Sequence, residues 1–215
     1  MKIDPTEAGR RDTYKTLIGS IVPRPIAFVS TMNRDGLVNV APFSFFTCVA
    51  AYPPLICFSP FGRENQKKDT VRNIEETGDF VVNIVTESLA DPMNICSADF
   101  PPEISEIDVS GLTLLPSEKI KTPRIAESPI NLECRKFQIL EFSEGAYYLV
   151  IGEVVLFHLS EAILTDGEID IDKLKPLGRL NWDLYVRVTE TFEMKRPKYD
   201  PDQKTIFIHD RFKAG

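Results

Sequence analysis

Residues 19–47, GSIVPRPIAFVSTMNRDGLVNVAPFSFFT, constrain the fold more than any other stretch of the chain. Two apolar, β-branched runs at 26–31 and 37–41 flank Asn33-Arg34-Asp35-Gly36. Asp-Gly suits the positive-φ positions of a tight hairpin turn, so the stretch predicts strand, turn and return strand. Further strands are expected at 55–59, 80–86, 131–142 and 146–159, the last two around the turn Ser143-Glu144-Gly145. Residues 51–54 read as a bend, and 178–194 have mixed strand-like character.

Helical signals are few. Asp4-Pro5-Thr6-Glu7 reads as a helix start, with Asp4 as N-cap, Pro5 in the first turn and Glu7 reaching back. That helix would run toward Leu17 and stop at Gly19. A second is expected over 69–77, closed by Gly78. Many short strands without regular strand–helix alternation favour a mainly β chain, an antiparallel barrel with peripheral helices, over a doubly wound sheet. The 215 residues suggest one domain over 1–197. Its proline-rich, acidic part at 87–118 reads as a helical or loop excursion, 163–172 as acidic turns, and 198–215 as a polar tail.

Composition narrows the function. A net charge of −7 argues against general affinity for nucleic acid or anionic membranes. No run approaches the ~18 apolar residues of a membrane helix, and MKIDPTEAGRRD has no signal core, so a cytoplasmic protein is expected. Cys48, Cys57, Cys96 and Cys134 form no C-x-x-C pair and read as reduced packing residues. His158 and His209 are too few to suggest a metal site. There is no G-x-G-x-x-G, no G-x-x-x-x-G-K-[ST] and no G-x-S-x-G. A bound cofactor therefore fits the chain better than a dedicated protein nucleophile.

Four constellations could carry such chemistry. Arg24, between Pro23 and Pro25, offers a fork of donors for a phosphate or carbonyl, beside the hydroxyls of Ser30 and Thr31. Adjacent strand positions face opposite ways, so only one hydroxyl need face a ligand, and a surface ion pair for Arg24 is an equal reading. In NVAPFSFF, Pro42 belongs at a strand edge or exit, and Ser44, Phe45 and Phe46 place aromatic area beside backbone amides. Core packing explains that run at least as well. In GRENQKKDT a basic loop enters a helix N-terminus, a ready phosphate site with Lys68 and Thr70 at hand, or an ordinary capped surface helix with Asp69 in the cap. Arg179 and Trp182 in GRLNWDLY could border a flat ligand or a subunit interface, or simply pack.

Taken together, RPIAFVST, N-x-APFS and KKDT, followed in order by GEVVLFHL and LKPLGRLNWDLY, resemble the flavin-reductase-like family of FMN-binding split barrels over roughly residues 12–196. The resemblance implies a six-stranded antiparallel split barrel, a homodimer and non-covalent FMN near the dimer interface. On that basis Arg24, Ser30 and Thr31 would border the ribityl-phosphate and ring edge. Asn39, Ala41, Ser44, Phe45 and Phe46 would line the isoalloxazine, with backbone supplying any hydrogen bond at Phe45. Ser59 and Arg63 would flank the ribityl-phosphate, Lys68, Asp69 and Thr70 would meet the phosphate, and Arg179 and Trp182 are further candidates. The implied activity moves hydride from NADH or NADPH to the flavin and on to free flavin, a partner monooxygenase or a small organic acceptor. A flavoredoxin-like electron carrier without nicotinamide activity and a non-redox small-ligand barrel are the alternatives.

Overall fold

The computed structural model describes residues 1–62, 66–101, 103–143, 147–201 and 205–207. The chain begins with helix α1 (Arg10–Ser20) and a two-residue strand β1 (Arg24–Pro25). It continues through β2 (Ala27–Met32), β3 (Val38–Phe43), β4 (Phe46–Ala51) and β5 (Pro54–Phe58) to helix α2 (Asp69–Thr77). Strand β6 (Asp79–Ile84) and helix α3 (Ala90–Ile95) precede two long strands, β7 (Ile130–Ser143) and β8 (Tyr147–Leu159). Short strands β9 (Leu177–Arg179) and β10 (Tyr185–Arg187) pair with each other, and β9 also pairs with β1.

Seven strands form one antiparallel sheet in the order β3-β2-β6-β7-β8-β5-β4. Its edges, β3 and β4, are separated in sequence only by Ser44 and Phe45. Such a link spans at most about 11 Å, whereas six strand spacings in a flat sheet would separate the edges by about 29 Å. The sheet must therefore curl until its edges meet at the linker, with no ladder between them among the described residues. This is a split barrel, with seven strands in its main sheet where the resemblance implied six.

Alternation along β2 divides the core in two. Ala27 and Val29 face the barrel interior with Phe58, Phe80, Val82 and Val150. Phe28 faces outward with Val38 and Val40, under Leu89, Met93 and Ile125 of the segment that crosses the outer face. Inside, Phe58 stands between Phe43 and Phe80, with ring centroids at 5.3 and 5.5 Å. Gly152 on β8 makes room for this column, because a Cβ there would lie 2.3 Å from Phe80 Cζ.

Buried polar side chains tie the outer segment down. Asn83 donates to the Phe28 carbonyl and accepts from the Ile125 N–H and Asn131 Nδ2. Glu133, fully buried, accepts from the Glu118 and Lys119 amides, each at 2.7 Å, and meets His158 Nε2 at 2.6 Å. Asp79 accepts from Thr122 Oγ1 at 2.5 Å and Lys121 N at 3.2 Å. These carboxylates satisfy loop amides that would otherwise be buried without partners.

Several local expectations shift. Asp4 closes a turn, its Oδ1 accepting from the N–H and hydroxyl of Thr6, and the helix starts later, at Arg10. Strand β4 is not apparent in the sequence, because Ser44-Phe45 turns the chain without glycine or proline between two apolar runs. The described part of 87–118 holds a 3-10 turn (Glu87–Leu89), α3, a one-turn helix (Ile107–Ser110), a two-residue strand (Leu114–Leu115) and loops. The region 163–172 contains a two-residue hairpin and a short helix (Ile171–Leu174). In the tail, Lys198–Asp200 pairs with Thr205–Phe207. Glu144 and Gly145 of the expected turn, and His209, lie outside the described residues. No helix among the described residues is long and apolar enough to cross a membrane. Cys96 and Cys134 are buried, which pushes the Cys96 thiol up to about 11 and the Cys134 thiol higher still.

Candidate functional site

A cleft of about 490 Å³ follows the free edge of β3. Its walls come from α1, the Ser44-Phe45 linker, the start of α2, the end of α3 with residues 96–100 after it, and the β9–β10 turn. β3 runs the length of the cleft because it is an edge strand. Ser105 Oγ donates to the Val38 carbonyl at 2.5 Å, and Glu106 Oε2 accepts from the Val40 N–H at 2.9 Å. Pro42 then offers no N–H to the open edge, as its place on an edge strand requires. The edge is thus covered at its start and open toward Ser44.

One end of the cleft is polar. The N-cap of α2 is Lys68, and no side chain caps this terminus. Its first-turn amides and the positive end of the helix dipole suit an anion. Lys68 Nζ lies 3.3 Å from Asp99 Oδ1. Asp69 does not cap the helix but turns to Arg72, its ion-pair partner one turn on. Thr70 is buried and its hydroxyl donates to Asn39 Oδ1 at 3.0 Å. Asn39 Nδ2 in turn donates to Glu106 Oε1 at 2.6 Å. Burial raises the Glu106 carboxyl above the ordinary glutamate value, and Asp69 adds to this, while the Val40 N–H and Asn39 pull it back.

The other end is aromatic. Phe45 and Phe61 approach to 6.1 Å between ring centroids, and Tyr14 of α1 meets Phe61 edge-on at 6.2 Å. Trp182 and Tyr185 stand on the facing wall. Ala41, midway along β3, leaves room between the two ends. The seven residues from Asn39 to Phe45 span about 20 Å in extended form. The cleft therefore has a polar end at a helix N-terminus and an aromatic end, joined by one strand.

Arg24 lies between these parts, 6% exposed. Its Nη1 donates to the carbonyls of Ile18 (2.7 Å) and Ile21 (2.6 Å) at the end of α1. Its Nη2 donates to Leu180 O (2.7 Å) and its Nε to Ser44 Oγ (3.4 Å). Four of the five guanidinium donors are thus used within the protein. Burial lowers its pKa, yet an arginine stays charged at any working pH. Neither sequence reading anticipated this: Arg24 fastens α1, the Ser44 linker and the β9–β10 turn together.

Of the candidate residues, Arg24, Asn39, Ala41, Ser44, Phe45, Ser59, Lys68, Asp69, Thr70, Arg179 and Trp182 line the cleft. Ser59 does so while donating its hydroxyl to the Tyr148 carbonyl at 2.7 Å. Ser30, Thr31 and Phe46 are not among its lining residues. The Ser30 hydroxyl faces the outer core and donates to the Pro123 carbonyl at 2.7 Å. Thr31 is fully buried beside Asn73, whose Nδ2 donates to Thr31 Oγ1 at 3.1 Å. Phe46 packs on the interior core. Arg63 lies outside the described residues. Glu106 and residues 93–100 were not legible as site residues. ISEID carries no motif, and only the path of the excursion over β3 brings Glu106 to Asn39.

Comparison with known proteins accords with this architecture. Residues 18–174 match the family described as flavin reductase like domain. An uncharacterised protein of Halalkalibacterium halodurans is 42% identical over 92% of this chain and 97% of its own length. The crystal structure of nitrilotriacetate monooxygenase component B from Bacillus cereus superposes with a TM-score of 0.86 at 41% identity, over 90% of this chain and 98% of that one. The 2-nitrobenzoate 2-nitroreductase NbaA of Pseudomonas fluorescens superposes with a TM-score of 0.85 at 35% identity, over 94% and 98%. The chain belongs to the flavin reductase like family.

Proposed function

We propose that the chain is an FMN-dependent oxidoreductase that takes reducing equivalents from NADH or NADPH and delivers them to a second acceptor. The observation that carries this reading is the division of the cleft: an uncapped helix N-terminus with Lys68 at one end and aromatic walls at the other, joined by β3. A ligand with a phosphate on a flexible polyol chain and a planar ring system at its far end fits that division. In this reading the first-turn amides of α2 and Lys68 hold the phosphate. Thr70 acts indirectly, because its proton is committed to Asn39, which it orients. The free edge of β3 beyond Val40 and the linker at Ser44 and Phe45 present backbone groups to the ring. Arg24 fixes the walls. When bound, the flavin supplies the hydride-accepting and electron-donating chemistry, and the protein supplies position and electrostatics.

The relatives suggest the class of acceptor. One is a component of a monooxygenase and another reduces a nitroarene. We therefore propose that the acceptor is either a flavin used by a partner monooxygenase or a small aromatic oxidant. We further propose a homodimer, for which the exposed Val49 and Tyr52 of the β4–β5 hairpin and Phe137 and Phe157 of the long strands offer apolar area. Sedimentation measures the assembly directly.

The purified protein should be yellow and release FMN on denaturation. Anaerobic mixing with NADH or NADPH should bleach the flavin. Bleaching only by a reduced protein donor would make the chain an electron carrier, and a colourless protein that FMN cannot reconstitute ends the proposal. Lys68→Ala should weaken FMN binding by about 1–2 kcal/mol, the worth of a charge-assisted contact reduced by its Asp99 ion pair. That is roughly five- to thirtyfold in Kd, and an unchanged titration would move the phosphate away from α2.

A further inference from the structure

Trp182, the single tryptophan of the chain, occupies a backbone position that a bulky residue resists. Its φ is 48°, in the left-handed region that glycine and asparagine tolerate far better. Asn181 stands one place earlier, so a residue suited to that conformation is at hand and is not used there. The turn that imposes the conformation is firmly held. Leu180 N–H donates to the Leu184 carbonyl at 2.9 Å, and Leu184 N–H to the Asn181 carbonyl at 3.0 Å. Arg179 donates to the Trp182 carbonyl and the Tyr185 hydroxyl, and its guanidinium carbon lies 4.4 Å from the Tyr185 ring centroid. Arg24 holds the Leu180 carbonyl.

None of these contacts uses the indole. Among the described residues the Trp182 ring has no aromatic partner and no hydrogen bond of its own. It is 43% exposed and lines the aromatic end of the cleft. Two arginines therefore brace a strained turn so that a large, electron-rich ring stands open over the cleft. A non-glycine outlier held in this way marks a candidate functional position.

We infer that Trp182 is the outer wall of a second subsite, which takes a planar, electron-poor aromatic ring between the indole and the flavin. Nicotinamide and nitroarenes share that chemistry. The indole face carries negative charge density and the ligand ring is depleted, so offset stacking is attractive beyond the area buried. The inference rests on the flavin reading, because the flavin forms the opposite wall. It assigns Trp182 to recognition of the second ligand and not to retention of FMN.

The test uses the FMN-loaded protein and the variants Trp182→Gly and Trp182→Phe. Glycine accepts the left-handed φ, so Trp182→Gly should melt no lower than the parent. It should keep its FMN affinity within about threefold, yet raise KM for the reduced nicotinamide dinucleotide or for 2-nitrobenzoate by about tenfold or more, with a smaller effect on kcat. Trp182→Phe should recover most of that loss. Without turnover, oxidised FMN-loaded parent titrated with NAD⁺, NADP⁺ or 2-nitrobenzoate should lose its residual indole emission saturably, and the probe that acts identifies the source of the ring.

If the parent holds no FMN, the flavin reading fails and the subsite fails with it. If FMN binds but neither KM nor emission responds, this inference alone fails. A collapse of FMN affinity in Trp182→Gly with an unchanged KM would make the indole part of the flavin pocket, and a change in sedimentation would make it an interface residue. Either result overturns the assignment.

Discussion

Replacing Arg24 by lysine separates a clamp from a ligand contact. The guanidinium joins three elements at once: two α1 carbonyls through Nη1, the Leu180 carbonyl through Nη2 and Ser44 through Nε. A lysine keeps the charge and can place its ammonium near the Nη1 position, recovering the Ile18 and Ile21 carbonyls. A single nitrogen cannot also reach Leu180 and Ser44. The Leu180 bond is short and charge-assisted, worth about 1.5–3 kcal/mol, and the long Ser44 contact adds little. Arg24→Lys should therefore lose about 2 kcal/mol, and Arg24→Ala about 3–5 kcal/mol, because it orphans carbonyls as well. At about 2–4 °C per kcal/mol for a chain of this size, melting should fall by about 4–8 °C for lysine and more for alanine. Amide exchange should quicken around 179–185 in Arg24→Lys, and also around 10–22 in Arg24→Ala. FMN affinity should follow the loosening of the walls. A lysine variant with parental melting and exchange but weakened FMN binding would refute the clamp and restore Arg24 as a direct ligand contact.

A methyl group at Gly152 would meet Phe80 at 2.3 Å inside the aromatic column. Gly152→Ala should cost about 2–3 kcal/mol by overpacking, with partial recovery in a Phe80→Leu background, and an unchanged melt would show that the column can shift. Two buried carboxylates should tilt stability with pH in opposite senses. Burial raises Glu106, so its contribution is fully present below the unfolded value near 4.5 and is lost as pH rises through the folded one. Burial also pushes Glu133 up, but the Glu118 amide, His158 and the Lys119 amide more than reverse it. The Glu133 contribution is therefore present above 4.5 and is lost as pH falls through its lowered folded value. In urea melts, the parent should lose ground to Glu106→Gln with rising pH above 4.5, and to Glu133→Gln with falling pH below it. Parallel slopes for both pairs would contradict the assignment.

The readable parts of the fold were those with local causes. Asp35-Gly36 set the β2–β3 turn, where Gly36 has φ 88°, and Gly78 closed α2 at φ 78°. Pro42 marked an edge strand because a missing N–H has consequences wherever the strand lies. What could not be read were the choices made by distant partners. Ser30 and Arg24 are both polar and near one another in sequence, yet Ser30 turns outward to Pro123 and Arg24 turns to Leu180. Strand alternation announces that neighbouring side chains part company, but not which face becomes the cleft.

The cleft itself is a product of closure. Asn39 is fixed in the cleft wall because Thr70 and Glu106, 31 and 67 positions further on, converge on its amide. Each of these residues alone has an ordinary surface or packing reading, and the curl that joins β3 to β4 brings the polar and aromatic ends onto one strand. The β9–β10 turn shows the same dependence more sharply. A tryptophan after an asparagine is unremarkable as sequence. Its left-handed φ, its two arginine braces and its unpartnered ring appear only once the chain has folded, and together they turn a weak candidate into the residue best suited to choose the second ligand.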